Sequence, residues 1–459
     1  MMDWNKLFSE KRERPSSTKM QPYRNCFDMD YDRIVYSSSL RRLQDKAQVF
    51  PLQENDFTRT RLTHSLEVSA IGKSMGANVG YQLRKKEIFD EEMEKKLSSL
   101  LLVAGLVHDL GNPPFGHYGE DVIKEWFKDK KEDLISRKIN EDELRDFISF
   151  DGNAQTIRIL TRLQFLNDRY GMNFCYGTLA TLMKYPWASN SSNNVKDKFG
   201  YFLSEEKFCE EIIKETGIIT RHPATYLLEA ADDIAYLFAD IEDALKKHYV
   251  PWTDVFEEFK QKVKSIDAFK RFEYIVRYIE SKRERNNANN VSGIERDLID
   301  IQNFKILAQG YLIETVCNEF VSCYDLIMQG KYEKKALLEN EEAREFVHFI
   351  RRKCIKYAYQ NKEVLSLELV GKEVLENLLQ KFVYAALDDG NYKKPKTANG
   401  KLYALISDNF KFIQYFDEKG EHNPEKELTP YQRVQMVVDF ISGMTDSYAL
   451  NLHKTLMGM

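Results

Sequence analysis

The sequence predicts an all-α protein, since apolar residues recur at helical spacing through most of its 459 residues. Only 11 prolines and 21 glycines interrupt the chain. It contains no series of short alternating segments separated by turn residues, which is the pattern of β-sheets. With 43% hydrophobic residues the chain can bury a large core, which excludes a disordered or fibrous protein.

Three predicted helices carry or border the distinctive polar residues of the chain. One covers residues 98–110 and is followed by Gly111 and two prolines, which stop helices. The next begins near residues 121–127. The third covers residues 222–248, where Pro223 occupies the first turn and apolar residues recur at helical spacing. We expect loops at residues 186–200, 285–293, 390–400 and 418–424.

The distinctive segments are unevenly distributed along the chain. Residues 1–250 contain nearly all of the distinctive segments, whereas the later half is rich in lysine and acidic residues. We therefore predict a core domain over residues 1–250 that carries the candidate site, with a helical C-terminal extension over residues 251–459. The extension is expected to pack on the core and to take part in oligomerisation.

Composition excludes several protein classes. The longest apolar run is eight residues, Leu100 to Val107, whereas a membrane-spanning helix needs about 20. The first 15 residues contain no apolar segment typical of a signal peptide, and six cysteines without a C-x-x-C pair favour a reducing compartment. We expect a soluble, cytoplasmic protein. Its net charge of −5 means that any nucleotide must be bound by local basic groups or by a metal.

A candidate metal site begins with His64 and His108. His108 is followed by Asp109 at the end of an apolar helix, where an acid opposes the helix dipole at a cost of about 0.3–1 kcal/mol. A buried histidine there also needs a polar partner. A metal ion would offset both costs, although a histidine at such a place is more often a core or capping residue and Asp109 could belong to a turn.

A polar stripe follows one face of the helix over residues 222–248. Asp232, Tyr236, Asp240 and Asp243 are spaced i, i+4, i+8 and i+11, beside the apolar face of the same helix. The stripe predicts that one face of this helix packs on the core while the adjacent face contacts polar groups. The alternative is that the acids form a solvated surface.

The segment from His108 to Glu120 reads HDLGNPPFGHYGE. With it the chain resembles the HD-domain phosphohydrolases, and among them the deoxyguanosinetriphosphate triphosphohydrolase (dGTPase) family. The other matching segments occur in the family's order: TRLTHSLEV at 60–68, GNAQ at 152–155, KYP at 184–186, EAADDI at 229–234 and GMTD at 443–446.

The resemblance implies a helical HD-domain bundle in which His64, His108, Asp109 and Asp232 hold one divalent ion, Mn²⁺ or Mg²⁺. We choose Asp232 over Asp233 because the family motif places the ligand first. Asp233 is expected to make a structural hydrogen bond instead.

The resemblance also implies catalytic roles for His117 and Glu120. We expect His117 to transfer a proton with the attacking water or the leaving oxygen, and Glu120, three residues on, to orient and tune it. The alternative for His117 is a loop histidine that packs on Pro114.

Substrate contacts are implied at further positions. Gln48 matches the position that contacts the sugar 3′-hydroxyl, while Tyr236 would stack under the deoxyribose and Asp240 follows it one turn later. The chain has Ser447 where the family commonly has an arginine, so Arg433 is our candidate to reach a neighbouring subunit's nucleotide. The triphosphate contacts are expected from Asn153, Lys184, Tyr185 and Lys198, of which the lysines could otherwise be ordinary surface residues.

The implied activity is the hydrolysis of dGTP, or of other dNTPs, to deoxynucleoside and tripolyphosphate by attack of water at the α-phosphate. The resemblance also implies a homo-oligomer, expected as a hexamer, and single-stranded DNA as an effector, although no clear aromatic and basic strip supports the latter. One alternative is an HD phosphohydrolase for a nucleotide monophosphate or cyclic dinucleotide. Another is a nucleotide- or DNA-sensing regulator with a vestigial site, against which the complete metal set argues.

Overall fold

The computed structural model describes residues 1–15, 23–53, 55–164, 168–194, 197–288, 291, 293–417 and 420–459. Over these residues the regular structure consists of helices, and the β-type pairing is limited to isolated bridges. The prediction of an all-α fold is confirmed. None of the helices in these ranges combines the length and the apolar character needed to span a membrane.

Within the described residues, twelve α-helices precede the predicted boundary at residue 250. They are α1 Trp4–Leu7, α2 Cys26–Val35, α3 Ser38–Arg42, α4 Arg61–Lys85, α5 Glu91–Val107, α6 Gly116–Asp129, α7 Lys131–Ser136, α8 Glu141–Ile148, α9 Gly152–Arg158, α10 Tyr176–Leu182, α11 Glu206–Thr216 and α12 Pro223–Lys246.

Eleven α-helices of the described residues follow that boundary. They are α13 Trp252–Ser265, α14 Asp267–Lys270, α15 Glu273–Ala288, α16 Gly293–Ser322, α17 Tyr324–Met328, α18 Arg344–Cys354, α19 Lys362–Ala386, α20 Ala398–Leu405, α21 Asp408–Phe412, α22 Pro430–Ser442 and α23 Asp446–Met457.

The predicted helices differ from the observed ones mainly at their ends. Helix α5 begins at Glu91 rather than at residue 98, because Asp90 caps it by accepting a hydrogen bond from the amide of Met93, 2.7 Å away. Helix α15 continues to Ala288, so the loop predicted from residue 285 begins later. The long helix predicted over residues 222–248 is observed as α12.

Close packing of α4 against α5 sets the position of the polar residues at their ends. A Cβ atom added at Gly76 would lie 2.8 Å from the Cα of Ser98, and one added at Gly105 would lie 2.8 Å from the Cα of Ser69. Only glycine allows the two backbones to approach so closely. As a result, the first turn of α4 lies beside the last turn of α5, and the rings of His64 and His108 are 5.5 Å apart.

The two predicted parts of the chain share one apolar core. Phe238 on α12 contacts Phe304 on α16 and Phe346 on α18, with ring centroids 6.2 and 6.4 Å apart. The extension therefore packs directly on the helix that carries the polar stripe.

His222 caps the start of α12. Its Nδ1 accepts a hydrogen bond from the amide of Ala224 at 3.1 Å, and its Nε2 donates to the carbonyl of Leu7 at 3.2 Å. Accepting a hydrogen bond at Nδ1 requires a neutral ring, and burial lowers the pKa of His222 to about 4.

We expect this cap to make stability depend on pH. The folded state binds the His222 proton more weakly than the unfolded state, so the stabilisation is complete above about pH 6.5 and is lost as the pH falls towards 4. Between pH 7 and pH 5 the free energy of unfolding should fall by about 2 kcal/mol because of this one ring. Urea unfolding of the wild type and of His222→Asn, which still caps but does not titrate, measures it. An equal loss in both proteins would contradict the assignment.

Candidate functional site

Three predicted ligands converge where α4, the end of α5 and α12 meet. The Oδ1 atom of Asp232 lies 2.9 Å from Nε2 of His64 and 3.5 Å from Nε2 of His108. One ligand atom from each residue lies within 4.8 Å of the other two. These residues come from positions far apart in the sequence, so only the packing of the helices brings them together.

The imidazole of His108 is held in one orientation. Its Nδ1 donates a hydrogen bond to the carbonyl of Gly105 at 2.8 Å, one turn earlier on α5. That bond leaves Nε2 with a free lone pair, and Nε2 is buried without a hydrogen-bond partner. A backbone carbonyl that fixes the other ring nitrogen is the usual support of a metal-binding histidine.

Asp109 lies beside this cluster. Its Oδ1 is 3.5 Å from Nε2 of His108 and accepts a hydrogen bond from Asn112 at 2.6 Å. Its Oδ2 forms an ion pair with the buried guanidinium of Arg61, also at 2.6 Å. Burial opposes ionisation of Asp109, but the charges of His108 and Arg61 lower its pKa to about 2.

The donor set fits a divalent cation. Burial would lower the pKa of His108, but the charges of Asp109 and Asp232 raise it to about 9. The two carboxylates thus create a field that draws positive charge to this position. Nε2 of His108 is also a buried nitrogen without a hydrogen bond. Imidazole and carboxylate groups together can hold a divalent metal ion.

A cavity of about 470 Å³ lies next to the cluster. It is large enough for a nucleoside. Four predicted residues line it, namely Gln48, His117, Tyr236 and Asp240. The remaining lining residues are Ala47, Val49, Pro51, Phe115, Tyr118, Arg351, Ile355, Tyr359, Val364 and Glu368.

Polar groups in this cavity are held by neighbours from the C-terminal extension. The hydroxyl of Tyr236 donates to Asp233 at 2.7 Å and accepts from Arg351 at 3.0 Å. The hydroxyl of Tyr359 donates to Asp240, whose pKa burial raises to about 7. The side-chain oxygen of Gln48 is buried without a hydrogen-bond partner. As predicted, Asp233 makes a structural hydrogen bond rather than joining the metal cluster.

A smaller cavity of about 50 Å³ is lined by Asp232, His108, Asn153 and Lys184 among others. Lys184 forms an ion pair with Glu229, which also binds Arg221. The two predicted triphosphate contacts at this cavity, Asn153 and Lys184, therefore lie next to the metal cluster.

Two other predicted triphosphate contacts line neither of these cavities. The ammonium group of Lys198 lies 3.2 Å from Asp151, and the amide group of Asn153 donates to the same carboxylate at 2.7 Å. Lys198 is thus connected to the small cavity through Asp151. Tyr185 packs 5.6 Å from the ring of Trp187.

The predicted contact between Glu120 and His117 is not among the described contacts. Glu120 is buried and accepts a hydrogen bond from Lys124 at 2.6 Å and one from the amide of Gly152 at 3.1 Å. The ammonium group of Lys124 one turn later and the amide at the first residue of α9 therefore hold the Glu120 carboxylate in place of the His117 ring. His117 is exposed and lines the large cavity without the help of Glu120.

Arg433 is also placed differently from its prediction. Its side chain is buried, with 4% of the residue exposed, and it donates to the carbonyl of Ala386 and to Asp389. It packs over the ring of Tyr392 at 4.8 Å. In this arrangement the guanidinium binds groups of its own chain, and its predicted contact with a neighbouring subunit's nucleotide stays a prediction.

Comparison with known proteins identifies the family. The HD domain matches residues 61–168, and the phosphohydrolase-associated domain matches residues 401–455. A protein of Listeria monocytogenes named deoxyguanosinetriphosphate triphosphohydrolase-like protein is 39% identical over the full length of both chains. The chain belongs to the dGTPase family of HD-domain phosphohydrolases. The resemblance seen in the sequence is confirmed.

Two more relatives extend the comparison. A deoxyguanosinetriphosphate triphosphohydrolase-like protein of Synechocystis sp. is 33% identical over the full length of both chains. The deoxyguanosinetriphosphate triphosphohydrolase of Yersinia pseudotuberculosis is 28% identical over 98% of this chain and 97% of its own. Like other HD-domain proteins of this family, the chain is a phosphohydrolase.

Sequence reasoning missed several site residues of this dGTPase-family chain. Arg351 and Tyr359 line the large cavity but come from the lysine-rich half that carries no motif. Tyr359 ends a π-helical segment, Ile355–Tyr359, an irregularity that is frequent at functional sites. Arg61 lies within one of the matching segments. Its charge among apolar and hydroxyl residues is the feature of the sequence that could have identified it as a site residue.

We expect the His64–His108–Asp232 cluster to bind one Mn²⁺ per chain. Asp232→Asn should weaken binding by more than about 100-fold, because even outer partners of metal ligands contribute 10- to 100-fold. Titration calorimetry with Mn²⁺ measures it. Asp233→Asn is the matched control, since the adjacent Asp233 binds Tyr236 instead, and its affinity should stay close to that of the wild type. Equal loss in both variants would contradict the ligand assignment.

Proposed function

We propose that the chain is a metal-dependent dNTP triphosphohydrolase that prefers dGTP and releases deoxynucleoside and tripolyphosphate. One observation carries the proposal: His108 and Asp232 of the metal cluster line a small cavity that contains Lys184, and the helix that carries Asp232 also lines a nucleoside-sized cavity. Tyr236 and Asp240 follow Asp232 at one-turn intervals on α12, so a single helix connects the two cavities.

The large cavity supports binding of a deoxynucleoside. The unpaired oxygen of Gln48 can accept a hydrogen bond from the sugar 3′-hydroxyl. The ring of Tyr236 is held in place by Asp233 and Arg351 and can stack against the deoxyribose. Space for a 2′-hydroxyl would then be limited, which favours dNTPs over ribonucleotides.

The small cavity supports binding of the phosphate chain. Lys184 and Asn153 line it, and Lys198 approaches it through Asp151. His64, His108, Asp109 and Asp232 would hold the divalent ion, Mn²⁺ or Mg²⁺. When bound, the ion lowers the pKa of a coordinated water and offsets the charge that develops on the α-phosphate.

His117 is the proposed proton-transfer group. Its ring is exposed to the large cavity and makes no hydrogen bond to any other described residue. An imidazole with both nitrogens available can take a proton from the attacking water in its neutral form, or give one to the departing 5′-oxygen in its protonated form. In our proposal Glu120 contributes only indirectly, because it binds the amide of Gly152 at the start of α9.

The names of the relatives support the same activity, since the Yersinia pseudotuberculosis relative is named a deoxyguanosinetriphosphate triphosphohydrolase. From the family we also propose a homo-oligomer, expected as a hexamer, with single-stranded DNA as an effector. Adding single-stranded DNA to the activity assay tests the effector, and light scattering tests the assembly.

Product analysis tests the reaction. We expect the purified protein with Mn²⁺ and dGTP to release deoxyguanosine and intact tripolyphosphate, with smaller yields from the other dNTPs. Chromatography of the products separates this result from the alternatives. Orthophosphate from a nucleotide monophosphate, or a linear product from a cyclic dinucleotide, would indicate a different HD phosphohydrolase.

His117→Ala tests the proton-transfer role. We expect kcat for dGTP to fall by about 100- to 10,000-fold, the range of general acid–base catalysis, while Mn²⁺ affinity stays unchanged. The control is His348→Ala, because His348 lines neither cavity. Steady-state kinetics of both variants give the comparison. Unchanged turnover in His117→Ala would exclude the role and leave the metal site intact.

A further inference from the structure

A buried carboxylate near the C-terminus joins two loops of the site. Asp446, with 2% of its surface exposed, lies in the first turn of α23. Its Oδ2 accepts a hydrogen bond from the amide of Ala47, and its Oδ1 accepts one from the amide of Phe115, each at 2.9 Å. The partners are 399 and 331 residues away in sequence.

The first of these bonds fixes the backbone next to Gln48. Ala47 directly precedes Gln48, and Lys46 is anchored as well, because its ammonium group donates to the carbonyls of Asn112 and Ser442 at 2.5 and 2.9 Å. The carbonyl of Lys46 accepts from the amide of Arg61 at 2.9 Å. The segment 46–48 is therefore held by the C-terminal helices on one side and by the metal-site segment on the other.

The second bond fixes the backbone next to His117. Phe115 has φ of +63°, a left-handed conformation that side chains other than glycine and asparagine rarely adopt. Its ring is buried against Gly371, where an added Cβ would lie only 2.7 Å from the ring. Phe115 precedes α6, and His117 is the second residue of that helix. The hydrogen bond to Asp446 thus supports a strained residue that sets the direction of His117.

Asp446 is not needed to cap its own helix. Thr445 is the N-cap of α23 and accepts a hydrogen bond from the amide of Tyr448 at 3.2 Å. Burying a carboxylate costs free energy unless its oxygens are satisfied. The two amides of distant segments satisfy it, and an ionised carboxyl is the one side-chain group of this length with two acceptor oxygens.

We propose that Asp446 is a positioning residue of the catalytic site, which holds the backbones beside Gln48 and His117 in register with each other. The inference rests on the proposed function, in which Gln48 contacts the 3′-hydroxyl and His117 transfers a proton. It gives the phosphohydrolase-associated segment, residues 401–455, a direct part in the reaction.

Asp446→Asn tests the proposal with almost no change in size. The amide keeps one acceptor and turns an N–H group towards the other backbone amide, so one of the two bonds is lost. We expect kcat for dGTP to fall by about 10- to 100-fold, because small displacements of a catalytic group have effects of this size. The preference for dGTP over 2′,3′-dideoxy-GTP, measured as a ratio of kcat/KM, should fall by about fivefold or more, as expected when a hydrogen bond is weakened.

The control is Ser447→Ala. Ser447 is the next residue on α23 and donates to Asp45 at 2.8 Å, so it joins the same helix to the same region without touching Ala47 or Phe115. We expect its kcat and its dGTP preference to match those of the wild type. A purely structural role of Asp446 would lower the rates for dGTP and 2′,3′-dideoxy-GTP equally, and an unchanged ratio in Asp446→Asn overturns the proposal.

Hydrogen exchange gives a readout that does not depend on activity. In the wild type, the amides of Ala47 and Phe115 both donate to a buried carboxylate, so peptides containing them should be protected from exchange. In Asp446→Asn at least one of these peptides should exchange faster, whereas the peptide containing Asp232 should not change. Absence of protection in the wild type, or unchanged exchange of both peptides in the variant, overturns the proposal. If the wild type is inactive towards every dNTP, the proposed function fails, while the exchange result still decides whether the clamp exists.

Discussion

The organisation of the site depends on one constraint: Asp232 must approach two imidazoles that lie on different helices. His64 begins α4 and His108 follows α5, and the two helices are antiparallel neighbours because glycines at their contact let the backbones come close. Helix α12 then brings Asp232 to within 2.9 Å of His64. Without this close helix pair, the imidazoles would be too far apart for one carboxylate to reach both.

Charge balance explains the residues around the cluster. The two carboxylates, Asp109 and Asp232, would repel each other, and each is offset by a cationic or hydrogen-bonding neighbour. Arg61 and Asn112 bind Asp109, while the two histidines bind Asp232. The two carboxylates still create a local field that favours positive charge. Such a field favours the binding of a divalent cation. The C-terminal extension contributes to the adjoining cavity through Arg351 and Tyr359, so neither half of the chain forms the site alone.

Glu120 and Arg433 were assigned to functional contacts from motif spacing, yet each is bound by nearer partners. Lys124 and the amide of Gly152 hold Glu120, while Ala386 and Asp389 hold Arg433. A sequence shows the charge of a side chain but not which groups will compete to bind it. Those groups are brought into place only when distant segments pack together.

The sequence by itself determined the all-α fold, the family and the segments that form the site. Helical periodicity is a local property, and the motifs keep their residues in a fixed order. Only the tertiary structure decided which of these residues meet. It joined His64, His108 and Asp232, added Arg351 and Tyr359 from a region without motifs, and connected Asp446 to Ala47 and Phe115. The reason is physical: contacts between residues hundreds of positions apart depend on how closely helices approach, and no local pattern records that distance.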